Sequence, residues 1–122
     1  KENEISYDIR GAAFTVDNCL GPGLLESLYE HAMAYELKKM GHQVRTQVGI
    51  PVKYGDVPLE MGFRLDIIVD ELVIIEIKSV DQLIDIHHKQ LLSYLKLTKR
   101  SLGLLINFNT TDLKKSIIRI IN

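Results

Sequence analysis

The chain has 122 residues, of which 15 are Lys or Arg and 16 are Asp or Glu, so its formal charge is −1. This length predicts one domain over residues 1–122, and the charge excludes a histone-like protein that coats nucleic acid with excess positive charge. The hydrophobic content of 46% and the charged content of 25% are typical of a folded domain. Near-neutral charge is compatible with an enzyme that acts on nucleic acid, because such an enzyme needs only local positive charge and acidic metal ligands.

Cys19 is the only cysteine, which excludes an internal disulfide and a cysteine-based zinc site. We therefore expect a reducing, cytoplasmic compartment. No apolar run approaches the ~18 residues of a membrane span, so no membrane association is expected. The chain begins with Lys1 rather than Met, so an N-terminal segment is expected to be missing, and the absence of a signal peptide carries little weight.

Two amphipathic helices are predicted in the first third of the chain. Apolar residues recur at helical spacing over residues 5–20, and Gly21-Pro22-Gly23 then ends the first helix. Pro22 is suited to the first turn of the second helix. The apolar stripe of that helix continues to Leu37, and Gly41 is suited to its C-terminal end.

The remaining chain predicts a mixed sheet and a third helix. Alternating apolar residues indicate a half-buried strand from Val44 to Tyr54, with Pro51 favouring an edge position. The other predicted elements are strands at 63–69 and 72–78, a helix at 81–98, a strand at 102–108 and a short strand at 117–121. The order ααβββαβ(β) predicts an α/β fold with a mixed β-sheet flanked by helices.

Ionisable residues interrupt two strands that are otherwise apolar. Residues 72–78 are apolar enough for burial on both faces, yet they include Glu76 and Lys78, which lie on one face of the strand. Asp66 interrupts the preceding strand. Burying such groups is costly unless they are paired or bind a metal. The spacing alone supports a metal site and a buried ion network without function equally well.

The register of these two strands decides whether the carboxylates meet. Asp66 lies opposite Glu76 only if Val69 pairs with Val73 across a three-residue loop, because a two-residue loop directs them to opposite faces. We predict the three-residue loop, or a bulge that restores the same parity. Two carboxylates on neighbouring strands suit a hard cation such as Mg²⁺. A neighbouring lysine can position water and stabilise charge on a phosphate.

Asp66, followed after nine residues by Glu76-Ile77-Lys78, resembles the core motif of the PD-(D/E)XK nuclease superfamily. The segment Gly23-Leu24-Leu25-Glu26-Ser27-Leu28-Tyr29 resembles the signature of the GxxExxY protein family within it, and the later Gln90-Leu91-Leu92-Ser93-Tyr94 also fits. The resemblance covers about residues 9–120 and implies a restriction-endonuclease-like, three-layer core. Leu65 stands where the superfamily name has proline, a position that varies within the superfamily.

The resemblance implies a role for each matching residue. Asp66 and Glu76 would bind the metal, with the backbone carbonyl of Ile77 as a further ligand. Lys78 would be the catalytic lysine beside the attacking water. Glu26 would join the metal site directly or through water.

Five residues are candidates for contact with substrate: Gln90, Tyr94, Tyr29, Arg64 and His87. The first two follow from the resemblance. Without it, Tyr29 is more commonly a packed aromatic residue and His87 a surface residue. Arg64 shares the face of Asp66 by parity, and pairing with that carboxylate and contact with phosphate are equally supported.

The leading hypothesis is an Mg²⁺- or Mn²⁺-dependent nuclease that hydrolyses phosphodiester bonds of nucleic acid, with DNA as the expected substrate. The alternative is a non-catalytic module that keeps the nuclease fold and binds nucleic acid or a protein. Near-neutral charge and small size favour the alternative. A two-fold homo-oligomer would suit cleavage of both strands of a duplex, but no sequence feature specifies an interface.

Overall fold

The computed structural model describes residues 1–59 and 62–122. Within these ranges the chain forms three α-helices, seven β-strands and one short 3-10 helix at Leu113–Ser116. The helices are α1 (Glu2–Leu20), α2 (Glu26–Lys39) and α3 (Asp85–Thr98). The strands are β1 (Val44–Gly49), β2 (Val52–Tyr54), β3 (Val57–Leu59), β4 (Arg64–Val69), β5 (Val73–Lys78), β6 (Leu102–Asn107) and β7 (Ile117–Ile121). In this part of the chain, no helix combines the length and the apolar character needed to cross a membrane.

Five strands form the main sheet in the order β1-β4-β5-β6-β7. Strands β5 and β6 are parallel, as their connection through α3 requires, and the other neighbouring pairs are antiparallel. Apolar residues of α1 and α2 pack on one face of the sheet, and those of α3 pack on the other. The predicted α/β class, mixed sheet and three-layer arrangement are therefore confirmed.

The predicted strand from Val44 to Tyr54 is wrong, because this segment forms two strands in different sheets. The first part is β1, an edge strand of the main sheet. The second part is β2, which pairs with β3 in a separate two-stranded sheet. Pro51, which has no N–H to donate, lies at the break. Just before it, the Ile50 N–H donates to the carbonyl of Phe63 at 2.7 Å and continues the pairing of Gly49 with Arg64.

The predicted starts of the second and third helices are also too early. Pro22 precedes α2, which begins at Glu26, because Gly21 and Gly23 adopt positive φ angles of 72° and 84° that no α-helix contains. The third helix begins at Asp85 rather than residue 81. The side chain of His87 caps this start, because its Nδ1 accepts a hydrogen bond from the N–H of Ile84 at 3.1 Å.

The predicted register of β4 and β5 is confirmed, since Val69 pairs with Val73 across a loop of residues 70–72. Asp70 and Glu71 both adopt positive φ angles, 53° and 57°, and the Leu72 N–H closes the turn on the Val69 carbonyl at 3.0 Å. The side chains of the two turn residues make ion pairs that hold the loop: Glu71 with Arg45 and Arg100, and Asp70 with His42.

His42 joins the turn of β4 and β5 to the first helix. Its Nδ1 lies 2.6 Å from the carboxylate of Asp70, and its Nε2 lies 2.8 Å from the carboxylate of Asp8. Burial works against protonation of the ring, but the hydrogen bonds to Asp70 and Asp8 outweigh it and raise the pKa of His42. The protonated ring therefore fixes the position of α1 against the hairpin.

We predict that His42→Ala costs more stability in mild acid than in alkali. The raised pKa means that the contribution of His42 is complete below the ordinary value of 6.5 and is lost as the pH rises through the folded-state pKa. The expected extra cost at about pH 6 relative to about pH 9 is about 1–2 kcal/mol, measured by urea unfolding. His31→Ala, at an exposed position on α2, is the matched control. An equal cost of His42→Ala at both pH values would contradict the prediction.

Candidate active site

Asp66 and Glu76 lie side by side where the pairing of β4 and β5 ends. Regular pairs run from Val69–Val73 to Ile67–Ile75. At the next position the N–H of Asp66 donates to Glu76 Oε1 at 3.3 Å, and the N–H of Ile77 donates to Asp66 Oδ2 at 2.8 Å. At this position, hydrogen bonds from backbone N–H groups to the two carboxylates replace the backbone hydrogen bonds that join β4 and β5 elsewhere. Both carboxylates are held inside the sheet.

A local distortion of the sheet directs Asp66 into this gap. Ile67 packs on the α1 and α2 face, whereas Leu65 and Ile68 both pack on the α3 face, so the alternation of β4 breaks at Asp66. Beside it on β1, Gln47 has a positive φ of 51°. Strands β1 and β4 keep the same register on both sides of the distortion. The change is therefore a twist of the backbone rather than an inserted residue.

Glu76 is nearly inaccessible to solvent, with 4% of its surface exposed. Burial and, after it, the negative charge of Asp66 raise the pKa of Glu76 to about 9, against an ordinary value of 4.5. Lys78 opposes this shift but makes the smallest contribution. At neutral pH Glu76 therefore retains its proton unless additional positive charge is brought to the pair.

Ile77 and Lys78 complete this end of β5. The Ile77 N–H faces Asp66, and because the N–H and C=O of one strand residue point to the same side, its carbonyl also faces the gap. Lys78 is the last residue of β5 and is partly exposed. Strand alternation places it on the face of Ile74 and Glu76, which α3 covers.

Glu26 reaches the same end of β5 from the first turn of α2. Its Oε2 accepts a hydrogen bond from the N–H of Ser79 at 3.2 Å, and the Ser79 hydroxyl donates to the carbonyl of Leu24 at 2.6 Å. Over residues 1–59 and 62–122, no three His, Cys, Asp or Glu side chains converge to hold a metal. Glu26 is thus hydrogen-bonded to the residue that follows Lys78 and lies apart from the carboxylate pair.

A scan against protein-family models matches residues 3–120 to the PD-(D/E)XK nuclease superfamily. The chain belongs to this superfamily. Searches of curated proteins and of solved structures found no match. Membership indicates nuclease activity and a nucleic-acid substrate, and nucleases of this superfamily generally use divalent metal ions. The resemblance stated from the sequence is confirmed at the level of the superfamily.

Tyr29 holds the backbone of the turn before α2 in place. Tyr29 is fully buried, and its ring stacks on Phe108 at a centroid distance of 4.5 Å. Its hydroxyl donates to the Gly21 carbonyl at 2.6 Å and accepts from the Leu24 N–H at 3.1 Å. Tyr29 therefore holds the turn before α2, and through Leu24 it holds Ser79.

Arg64 and His87 also contact the protein itself. Arg64 donates from Nη1 to the carbonyl of Gln47 at 3.1 Å, and no ion pair joins it to Asp66 in the described structure. The partner that the structure gives the Arg64 guanidinium is thus a backbone carbonyl of β1. The Nδ1 of His87 caps the start of α3.

Gln90 and Tyr94 lie one turn apart on α3, and Tyr94 packs towards the carboxylate pair. Burial and, after it, the charges of Glu76 and Asp66 raise the pKa of Tyr94 to about 12. The phenol is therefore within electrostatic reach of both acids. Of the predicted residues, the structure brings Tyr94 and Lys78 near the pair and attaches Glu26 beside them.

Glu30 is an acidic neighbour of the site that the sequence analysis missed. It is buried on α2 and accepts a hydrogen bond at Oε1 from the Gln47 side chain at 2.7 Å. Burial raises the pKa of Glu30, and the charge of Asp66 adds to the shift. The available signal was its position one turn after Glu26, beside the buried Tyr29 and inside the apolar stripe of α2.

We predict that Glu76→Gln stabilises the metal-free protein increasingly as the pH rises. The folded state holds the Glu76 proton up to about pH 9, whereas the unfolded chain releases it near 4.5, so the wild type loses stability across this range. The gain of the variant should grow by about 1 kcal/mol or more between about pH 5 and about pH 8, in urea unfolding with a chelator. Glu4→Gln, exposed on α1, is the control. A gain independent of pH would contradict the assignment of the proton to Glu76.

Proposed function

We propose that the protein is a nuclease that uses Mg²⁺ or Mn²⁺ to hydrolyse phosphodiester bonds of nucleic acid, with DNA as the expected substrate. The observation that carries the proposal is the pair of the half-buried Asp66 and the buried Glu76, aligned between two strands by backbone hydrogen bonds. Two adjacent carboxylates, one of them buried, are electrostatically unfavourable on their own because they repel each other. A divalent cation between them would remove that cost.

The oxygen atoms that face the gap suit a hard divalent cation. Asp66, Glu76 and the carbonyl of Ile77 would hold the ion, and water would complete its coordination, as Mg²⁺ prefers. Such an ion supplies positive charge to the phosphate and lowers the pKa of nearby water. Glu26, hydrogen-bonded to Ser79, would contact this site through water rather than directly.

Lys78 would position the water that attacks phosphorus. Its ammonium can donate a hydrogen bond to that water and can stabilise the negative charge that develops on the phosphate oxygens. One bond from the water oxygen to phosphorus forms and the bond from phosphorus to the leaving oxygen breaks. The attacking water gives a proton to solvent, and the leaving oxygen takes up a proton from solvent to become a hydroxyl group. Arg64, Gln90 and Tyr94 are the proposed contacts to the nucleic-acid chain. His87 is a further candidate for phosphate contact through the ring nitrogen that does not cap α3.

We predict that Asp66→Asn and Lys78→Met each lower cleavage by about 10²- to 10⁴-fold. Each removes a charge from the site at nearly constant volume, so folding should be retained. The measurement is Mg²⁺- or Mn²⁺-dependent cleavage of plasmid and of single-stranded DNA. Asp56→Asn and Lys114→Met make the same chemical changes at exposed positions and should leave the rate unchanged.

Cleavage that persists in Asp66→Asn would contradict the nuclease assignment. The alternative is a non-catalytic binding module. It is distinguished from a nuclease by measuring thermal stability as Mg²⁺ or Mn²⁺ is added. The wild type should be stabilised by either cation and Asp66→Asn should not, since a ligand that binds only the folded state raises its stability. A wild type that neither cleaves nor responds to the cations would favour the binding module.

We predict an intermediate effect for Glu26→Gln. The amide oxygen can still accept the Ser79 hydrogen bond, so the variant removes the charge and retains the contact. A carboxylate that acts on the ion through water should be worth about 10- to 100-fold in rate. Glu36→Gln on the same helix is the matched control and should be neutral. A loss as large as that of Asp66→Asn would show direct coordination and contradict contact through water.

A further inference from the structure

A cavity of about 260 Å³ lies between Phe63 and α3, on the α3 side of the sheet. Phe63 forms one wall, immediately before β4, and Tyr94 and Gln90 of α3 form another. The rings of Phe63 and Tyr94 are 5.7 Å apart and inclined by 42°. Phe63 remains 55% exposed even with this contact, so much of its ring is open to a ligand.

Each wall of the cavity has a link to the proposed catalytic centre. Phe63 lies immediately before β4 and precedes Asp66 by three residues in the chain. Tyr94 lies close enough to Asp66 and Glu76 for their charges to act on its phenol. A base seated against Phe63 and Tyr94 would therefore belong to a nucleotide close to the reacting phosphate.

The chemistry of the lining indicates a flat heterocycle that carries a phosphate. Phe63 offers an exposed aromatic face, and Ile86, 61% exposed, offers an apolar edge. Lys89 supplies a cation, and the Gln90 amide supplies both a donor and an acceptor. A nucleobase uses all of these features, because its faces stack on aromatic rings, its edges accept and donate hydrogen bonds, and its phosphate is anionic.

We propose that this cavity binds an unpaired nucleobase of the substrate, stacked on Phe63, and so directs cleavage to single-stranded positions. The proposal rests on the proposed nuclease function for the class of its ligand. Pairing matters because the faces of bases inside a duplex are covered by their neighbours and cannot stack on a protein ring.

The test is binding of a single-stranded oligonucleotide that contains the fluorescent base 2-aminopurine, in EDTA so that no hydrolysis occurs. Stacking on Phe63 should quench the fluorescence, and Phe63→Ala should weaken binding by about 5- to 100-fold. Phe63→Tyr keeps an aromatic face and should bind within about threefold of the wild type. Tyr7→Ala removes an exposed aromatic ring from α1, across the sheet, and should have no effect. A fully paired duplex of the same sequence should bind the wild type as weakly as the single strand binds Phe63→Ala.

Equal affinity of the wild type and Phe63→Ala, or equal affinity for duplex and single strand, would overturn the cavity proposal. Cleavage assays separate this failure from failure of the proposed function. If the wild type cleaves DNA, Asp66→Asn does not, and Phe63→Ala binds normally, the nuclease assignment stands and the base cavity is wrong. If Phe63→Ala weakens binding but the wild type cleaves nothing with either cation, the cavity stands and the hydrolytic role is wrong.

Discussion

The structure depends on the point where β4 and β5 stop pairing through their backbones. A buried N–H needs a hydrogen-bond partner, and here the carboxylates of Asp66 and Glu76 are the partners of Ile77 and Asp66. The same bonds that satisfy the sheet therefore fix both acids in position. A site on a loop would be less rigid, since loops are more mobile than the elements they connect. The electrostatic consequence is that Glu76 keeps its proton, because burial and the neighbouring charge both oppose ionisation.

The layers on either side of the sheet converge on the end of β5. On the α1 and α2 face, stacking of Tyr29 on Phe108 supports the turn whose Leu24 carbonyl binds the Ser79 hydroxyl. On the other side of the strand end, the Asn107 side chain donates to the Val80 carbonyl at 2.9 Å and accepts from its N–H at 3.1 Å. The two residues that follow Lys78, Ser79 and Val80, are thus both held by hydrogen bonds. This arrangement limits how far the lysine backbone can move relative to the acids.

The sequence was sufficient for the parts of the fold and the site that depend on burial and parity. Acidic residues inside apolar strands indicated the pair, and the odd loop length gave the register that places Asp66 opposite Glu76. Periodicity reports which side chains are buried, but it does not report backbone dihedral angles. For that reason it could not show the positive φ of Gln47 or the broken alternation at Asp66. The division at Pro51 likewise depends on pairing with distant residues, since the segment before it pairs with β4 and the segment after it pairs with β3.

The protonated state of Glu76 links the charge of the whole chain to the chemistry of the site. Glu76 can act as an anionic ligand only after it releases its proton, so a cation that binds there must displace that proton. Occupancy of the site would therefore become more favourable as the pH rises towards about 9. The formal charge of −1 counts Glu76 as ionised, and the metal-free protein is less negative than this count. A bound divalent cation would shift the local charge further in the positive direction, which is the direction that a phosphate substrate requires.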